Sequence, residues 1–173
     1  MFETEAELKE LQLLLDASFD KAGERMLMIY DIGQRLSAQQ LAGFRGIRLV
    51  AVASVNRKGE ARVAPRSAAF LHGKFYLAAS TKSMMVRRLV TNPRVAATYF
   101  ERHLLVMCHG TVAFLRRGEA GFKSIRAEWE EAFNGGRDAL QGIDVLLRLD
   151  ATRLVAFAAR SERYPEAWGR QPR

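Results

Sequence analysis

The sequence predicts a mainly β protein: a small antiparallel barrel with peripheral α-helices. Strand-like segments rich in Val, Ala, Leu and Phe recur about seven times between Ile47 and Ala159. Short turn signals separate most of them, as at Asn56–Gly59 and His72-Gly73, and turns of that kind join antiparallel neighbours. Helical periodicity is confined to a few segments, so closing the sheet on itself is the natural way to bury the strands.

Taken in order, residues 3–19 predict an amphipathic helix. Leu8, Leu11, Leu14 and Leu15 recur at helical spacing, while Glu7, Lys9 and Glu10 fall outside that stripe. Gly23 and Gly33 bracket Arg25–Ile32, which reads as a short strand or an apolar plug; Met26, Leu27, Met28 and Ile29 there fill core or cap a ligand. Ser37 is an N-cap with Gln40 as capping-box partner, opening a short helix that runs to about Arg45 and ends at Gly46. Ile47–Val55 is an almost unbroken apolar run, the pattern of a strand buried on both faces. Ala61–Leu71 and Lys74–Ala79 follow as antiparallel strands. Ser83–Val90 is a short helix stopped by Asn92-Pro93, since a residue before proline disfavours helical geometry. Val95–Phe100 and Leu104–Leu115 are strands, and Gly118–Phe133 is a helix with Phe122, Ile125, Trp129 and Phe133 on one stripe, capped by Asn134-Gly135-Gly136. Ile143–Leu149 and Arg153–Ala159 are the last strands, ahead of a polar tail. The organisation expected is an N-terminal helical extension (1–36), a barrel domain (37–160) and a C-terminal tail (161–173).

Composition sets the outer bounds. At 173 residues, 49% hydrophobic and 27% charged, the chain has the make-up of a globular protein able to bury its own core. Cys108 is the only cysteine, so no intrachain disulfide can form. No apolar run approaches the roughly 20 residues of a membrane span. Glu3, Glu5 and Glu7 are the opposite of a basic leader, and the expected location is cytoplasmic. The net charge of +8 fits either an arginine-rich surface or an anionic ligand. The arginines are dispersed rather than interleaved with aromatics, which argues against nucleic acid.

The candidate site is Ser80-Thr81-Lys82-Ser83 at the start of a helix, with Arg66 on a neighbouring strand. Free amide groups and the helix dipole favour an anion there, and hydroxyls, an ammonium and a guanidinium add donors. Helix capping by Ser83 or Thr81 explains the same residues without a ligand. Other constellations are weaker. His103 and His109 can share a strand face, but His72 is the only other histidine and a metal needs more ligands. Cys108 lies in an apolar run, the setting of an inert thiol. Ser67, His72 and Asp31 lack the glycines of a nucleophile elbow.

The run from Gly59 through Tyr99 resembles the pyridoxamine 5′-phosphate oxidase-like family of flavin-binding split barrels. The residues that carry the resemblance are Asn56–Gly59, Ala64-Pro65-Arg66, Phe75–Ser80, Ser83–Leu89 and Asn92-Pro93-Arg94-Val95, followed by the hairpin LLVMCHGTVAFL. It covers roughly residues 37–160. The resemblance implies a split antiparallel β-barrel that forms a homodimer and binds FMN, a deazaflavin or heme at the dimer interface. By the same likeness the backbone of Ala64, Pro65, Arg66 and Ser67 lines the flavin ring, Ser80, Thr81, Lys82 and Ser83 hold its phosphate together with the Arg66 side chain, and Ala79 and Met85 complete the cofactor-binding set. Relatives carry a basic pair where Met84 and Met85 stand here; Lys82 or Arg87 is the available substitute. Trp168, Arg170 and Pro172 only echo the C-terminal signature of the vitamin B6 oxidases, so that activity is not expected. The function implied is an FMN-dependent oxidoreductase acting on a small molecule. The alternatives are a deazaflavin-dependent reductase, whose longer anionic tail Arg and Lys would hold, and a non-enzymatic flavin or heme module.

Overall fold

The computed structural model describes residues 3–29, 32–44, 46–101, 103–133, 142–164 and 166. Strands β1 (Ile47–Val55), β2 (Ala61–Leu71), β3 (Lys74–Ala79), β4 (Arg94–Glu101), β5 (Leu104–Arg116) and β6 (Val145–Ala158) form a closed antiparallel barrel. The order around it is β1-β2-β3-β6-β5-β4, and β4 pairs back onto β1 from Ala51↔Thr98 to Ser54↔Val95. Closure gives the backbone amides and carbonyls ladder partners and leaves few edges.

Two-residue geometry joins β2 to β3. His72 and Gly73 sit at φ 51° and 70°, directly between the paired Leu71 and Lys74, as a type I′ hairpin requires. The β1–β2 turn is held by Asn56, whose Oδ1 accepts from the amides of Lys58 (2.9 Å) and Glu60 (3.0 Å).

Six strands form rather than about seven, because the last two expected strands are one. The segment Asp150-Ala151-Thr152, whose Asp and Thr read as a break, lies inside the 14-residue β6. There the ladder with β5 shifts: His109 faces Arg153 and Gly110 faces Ala151, leaving Thr152 as the extra residue of a bulge. Gly110 is obligatory at this bend, since a Cβ on it would lie 2.1 Å from the Asp150 carbonyl oxygen.

β1 also departs from expectation. It is buried on one face only: Val50, Val52 and Ser54 point into the core, whereas Leu49 is 68% exposed and Ala51 is exposed. No described helix covers its outer side, so the continuous apolar run does not mean two buried faces. Val63 and Phe100, at 69% and 73% exposure, extend that uncovered outer face onto β2 and β4.

Among the described residues five α-helices surround the barrel. α1 (Glu5–Asp20) is capped by Thr4 and Glu7 in a reciprocal capping box. Its Leu11 and Leu15 belong to the main core with Val50, Leu77, Val106 and Leu147. The Ser18 hydroxyl accepts from the Leu154 amide of β6 at 2.9 Å, satisfying a buried donor. α2 (Glu24–Ile29) replaces the expected strand or plug: Met26 packs against the Phe19–Val155–Phe157 cluster, but Met28 is 85% exposed. α3 (Ala38–Ala42) has the Ser37–Gln40 capping box, though it is shorter than expected. α4 (Met84–Thr91) buries Met85, Val86 and Leu89. α5 (Phe122–Ala132) starts later than expected because Gly121 adopts φ 83°, outside helical geometry. Its Phe122–Ile125–Trp129 stripe packs on Ala69, Leu71, Tyr76 and Leu146, and the Trp129 indole donates to the Tyr76 carbonyl at 3.2 Å. That stripe is core. The expected cap at Asn134–Gly136 lies outside the described residues.

One side chain ties three of these elements together. His72 Nδ1 lies 3.1 Å from Glu7 of α1, and Nε2 lies 2.7 Å from Glu128 of α5. Burial would lower the His72 pKa, but the two carboxylates outweigh it and hold it above 6.5. Burial likewise opposes ionisation of Glu7, yet hydrogen bonds from Thr4 and His72 hold its pKa below 4.5. The raised histidine contributes stability that is complete below pH 6.5 and lost as pH rises through its folded value. The lowered glutamate contributes above pH 4.5 and loses its share as pH falls through its folded value. Thermal unfolding should therefore show the latch strongest between those limits. His72→Asn, which tolerates the left-handed backbone, should remove the alkaline part of that dependence and cost about 1 kcal/mol at pH 6.

Candidate functional site

The barrel has one conspicuous opening. β3 pairs with β2 only from Ala68↔Leu77 to Leu71↔Lys74, although β3 continues to Ala79 and β2 begins at Ala61. Residues 61–67 of β2 therefore pair with β1 on one side and, among the described residues, with no strand on the other. Pro65 fits this arrangement, since a residue without an N–H is tolerated where the ladder is open. Opposite the open edge lie the end of β3, the Ser80–Ser83 turn and the start of α4.

The turn brings Ser80, Thr81, Lys82 and Ser83 together, but their donors are unequally available. Thr81 donates through its amide (2.7 Å) and its hydroxyl (2.6 Å) to the Asp144 carboxylate. These bonds hold the Asp144 pKa below its usual value. The turn thus already binds an oxyanion, one supplied by the chain itself. The Lys82 amide goes to Ser80 Oγ at 3.2 Å, and the Ser83 amide goes to the Ser80 carbonyl at 2.9 Å. Ser83 is the N-cap of α4, its hydroxyl accepting from the Val86 amide at 3.2 Å.

What stays free for a ligand is a smaller set. The Lys82 side chain is exposed and, among the described residues, makes no hydrogen bond or ion pair. The first two helical amides, those of Met84 and Met85, have no partner among the described residues, as expected at a helix start. Arg66 shares the inner sheet face of its β1 partner Val50. Its Nε rests on the Met85 sulfur, a weak acceptor, at 3.4 Å, and its Nη1 makes only a long contact of 3.4 Å to the Pro65 carbonyl. Met85 itself is 3% exposed, so the position where relatives carry a cation is spent on packing. Arg87 is not at the turn; it lines a separate cleft beside the β1–β2 hairpin. Asp144 is the residue that sequence reasoning missed, since nothing local marks an aspartate before β6 as the partner of a threonine 63 positions earlier.

The remaining candidates are placed as follows. Cys108 is buried, and burial with the nearby Asp150 charge pushes its thiol up to about 12, far from a reactive thiolate. Both ring nitrogens of His72 are occupied by carboxylates, so it cannot serve Ser67 as a base. Asp31, Trp168, Arg170 and Pro172 lie outside the described residues. His103 and His109 both face outward on or beside β5, but about 20 Å of extended strand separates them. Among the described residues no group of three or more His, Cys, Asp or Glu could hold a metal ion, and no helix is long and apolar enough to cross a membrane. His109 borders a cavity of about 470 Å³ on the outer face, with Ala53, Ala96, Arg94 and Thr111.

The occupied oxyanion position has a direct consequence. Asp144→Asn keeps a hydrogen-bonding partner for Thr81 and removes a negative charge from the turn. A phosphate ester such as FMN should then bind about two- to fivefold more tightly, measured by fluorescence titration at low ionic strength. Unchanged affinity would mean that the carboxylate does not compete with the ligand.

A model of the family described as pyridoxamine 5′-phosphate oxidase matches residues 36–156. No curated protein matches the chain in sequence. Solved structures share the fold. A conserved hypothetical protein of Mycobacterium tuberculosis superposes with a TM-score of 0.63 at 17% identity, covering 79% of this chain and 93% of the other. The heme storage protein HutZ of Vibrio cholerae gives 0.59 at 19% identity, covering 73% and 99%. A FAD-binding protein of Mesorhizobium loti gives 0.55 at 19% identity, covering 68% and 87%. At such identities the likeness concerns the fold alone.

Proposed function

We propose that this chain, which belongs to the pyridoxamine 5′-phosphate oxidase family, is an FMN-dependent oxidoreductase that acts as a homodimer. The observation that carries this reading is the unpaired edge of β2 facing a turn whose free donors are the Lys82 ammonium and two helix-start amides. The residues fit a phosphate-bearing planar cofactor: Lys82 and the Met84 and Met85 amides for the phosphate, with Arg66 releasing its weak sulfur contact to join them. The open edge at Ala64–Ser67 offers backbone groups to a ring, and Pro65 keeps one of them apolar.

FMN, when bound, supplies the electron and hydride chemistry. The chain's own residues bind it, orient it and keep water away. None of them needs to be an acid or a base, which agrees with a buried neutral Cys108 and a His72 committed to the latch. Leu49, Val63 and Phe100 form an uncovered apolar face beside the opening. A second copy of the chain resting on that face would bury it and dry the site.

A second reading, heme binding, is favoured by one observation. The His109 imidazole is exposed, has no partner among the described residues, and borders the cavity of about 470 Å³ on the same outer face.

A thermal-shift panel of FMN, FAD, a deazaflavin and heme separates these readings. FMN should raise the melting temperature most. Stabilisation by heme alone, abolished in His109→Ala, would replace the first reading with the second, and no response to any of the four would end both. Arg66→Ala and Lys82→Ala should each weaken FMN binding by about 1.5–3 kcal/mol, at least roughly tenfold. Wild-type affinity in both would move the phosphate elsewhere. Sedimentation should find a dimer that Phe100→Asp converts to monomer.

A further inference from the structure

We propose that the cleft between the β1–β2 hairpin and the C-terminal half of α4 is a second binding site, for an oligophosphate anion. The cleft is a broadly open one of about 350 Å³, lined by Arg57 and Lys58 from the hairpin, Arg87 and Arg88 from α4, and Asn56 and Thr91. Four cations and no carboxylate line it. Arg57, Lys58 and Arg87 make no side-chain hydrogen bond or ion pair among the described residues. Arg88 has one contact, its Nε at 3.4 Å from the Ser54 hydroxyl, and Ser54 is only 4% exposed. The one acid on the hairpin, Glu60, is already bound by Asn56 Nδ2 and Arg62 Nη2, both at 2.8 Å.

Like charges gathered in a concave site repel one another and focus a positive potential into it. A helix C-terminus accounts for a cation such as Arg88, whose charge suits the free carbonyls there. It does not account for Arg57 and Lys58, which meet that end from a different element. Nor are those two carried on a loose loop. The Asn56 side chain accepts from the amides of Lys58 and Glu60, and the Gly59 amide closes onto the Asn56 carbonyl at 3.1 Å. A turn backbone fixed in advance leaves only the side chains to be ordered when a ligand is engaged.

The cleft is distinct from the turn that precedes α4. The helix has eight residues, so its ends are about 12 Å apart and a single phosphate cannot touch both. The proposal therefore stands or falls independently of the cofactor assigned above. Four cations matched by one ligand call for several charges at short spacing, which a chain of phosphates provides and a lone monoanion does not.

Isothermal titration with inorganic tripolyphosphate at low salt, with and without saturating FMN, tests the site. Tripolyphosphate should bind in both cases. The exposed double variant Lys58→Ser/Arg87→Ser should lose at least tenfold in affinity while melting as the wild type does. The charge-matched control Lys9→Ser/Lys123→Ser, altered on α1 and α5, should lose less than twofold. Adenosine triphosphate binding as tightly as tripolyphosphate, or more tightly, with the same dependence on Lys58 and Arg87 supports the site and distinguishes a nucleotide from a bare phosphate chain. Equal losses in the two double variants would reduce the effect to net charge and overturn the proposal. Competition between FMN and tripolyphosphate would also overturn it, by merging the cleft with the first site. A single-stranded oligonucleotide binding far more tightly than either small anion would replace it with a nucleic-acid surface.

Discussion

Closure of the barrel is the constraint on which the other features depend. β6 spans 14 residues, pairs with β3 along its first half and with β5 along nearly its whole length, and must bend to do both. The bend is made where Thr152 is inserted and Gly110 lets two backbones meet closer than any side chain allows. Once β4 returns to β1, the longest stretch of edge left without a described strand partner is the first half of β2, with shorter stretches at the start of β1 and the end of β4. The candidate site is where closure is incomplete. Its backbone groups are available there because the barrel has nothing left to pair with them.

The helices complete that arrangement. α4 inserts Met85, Val86 and Leu89 beneath the opening, which gives the turn before it a fixed floor and brings Arg66 alongside Met85. α1 fills the other flank with Leu11 and Leu15 and is held by polar contacts: Ser18 with Leu154, Gln12 with the Ala38 amide, and Glu7 with His72. The segment before the family-like region is thus structurally part of the core. α5 seals the outer side of β2, β3 and β6. No comparable cover is described over β1, β4 and the start of β2, so the apolar surface that remains lies beside the open edge.

Charge is distributed with the same economy. The positive balance is not spread evenly: several uncompensated cations cluster at the two ends of α4, with Lys82 and Arg66 at its start and Arg57, Lys58, Arg87 and Arg88 toward its finish. Some cations elsewhere meet carboxylates, as Lys74 and Arg148 do around Asp150 at 3.2 and 2.9 Å. Such partly exposed pairs add little stability individually. They neutralise part of the surface, whereas the six cations at the two ends of α4 have no carboxylate partner among the described residues.

Local chemistry determined much of this protein in the sequence itself. The Ser37–Gln40 capping box, the Asn56–Gly59 and His72-Gly73 hairpins, the Ser83 cap and the proline stop at Pro93 are each set by side chains within a few residues, and the strand and helix order follows from them. The Ser80–Ser83 turn was legible as a candidate anion site for the same reason, whereas Ala64–Ser67, Arg66 apart, entered through the family resemblance alone. Tertiary structure alone decided the rest, because it depends on partners distant in the chain. An apolar run such as Ile47–Val55 does not say whether a second layer exists to cover its outer face. A polar stretch such as Asp150–Thr152 reads as a turn until the opposite strand shows it to be a bulge. Thr81 reads as a ligand donor until Asp144, 63 residues away, takes both of its hydrogen bonds. Short-range hydrogen bonding and periodicity are written in neighbouring residues, whereas coverage, register and charge pairing are properties of the closed barrel.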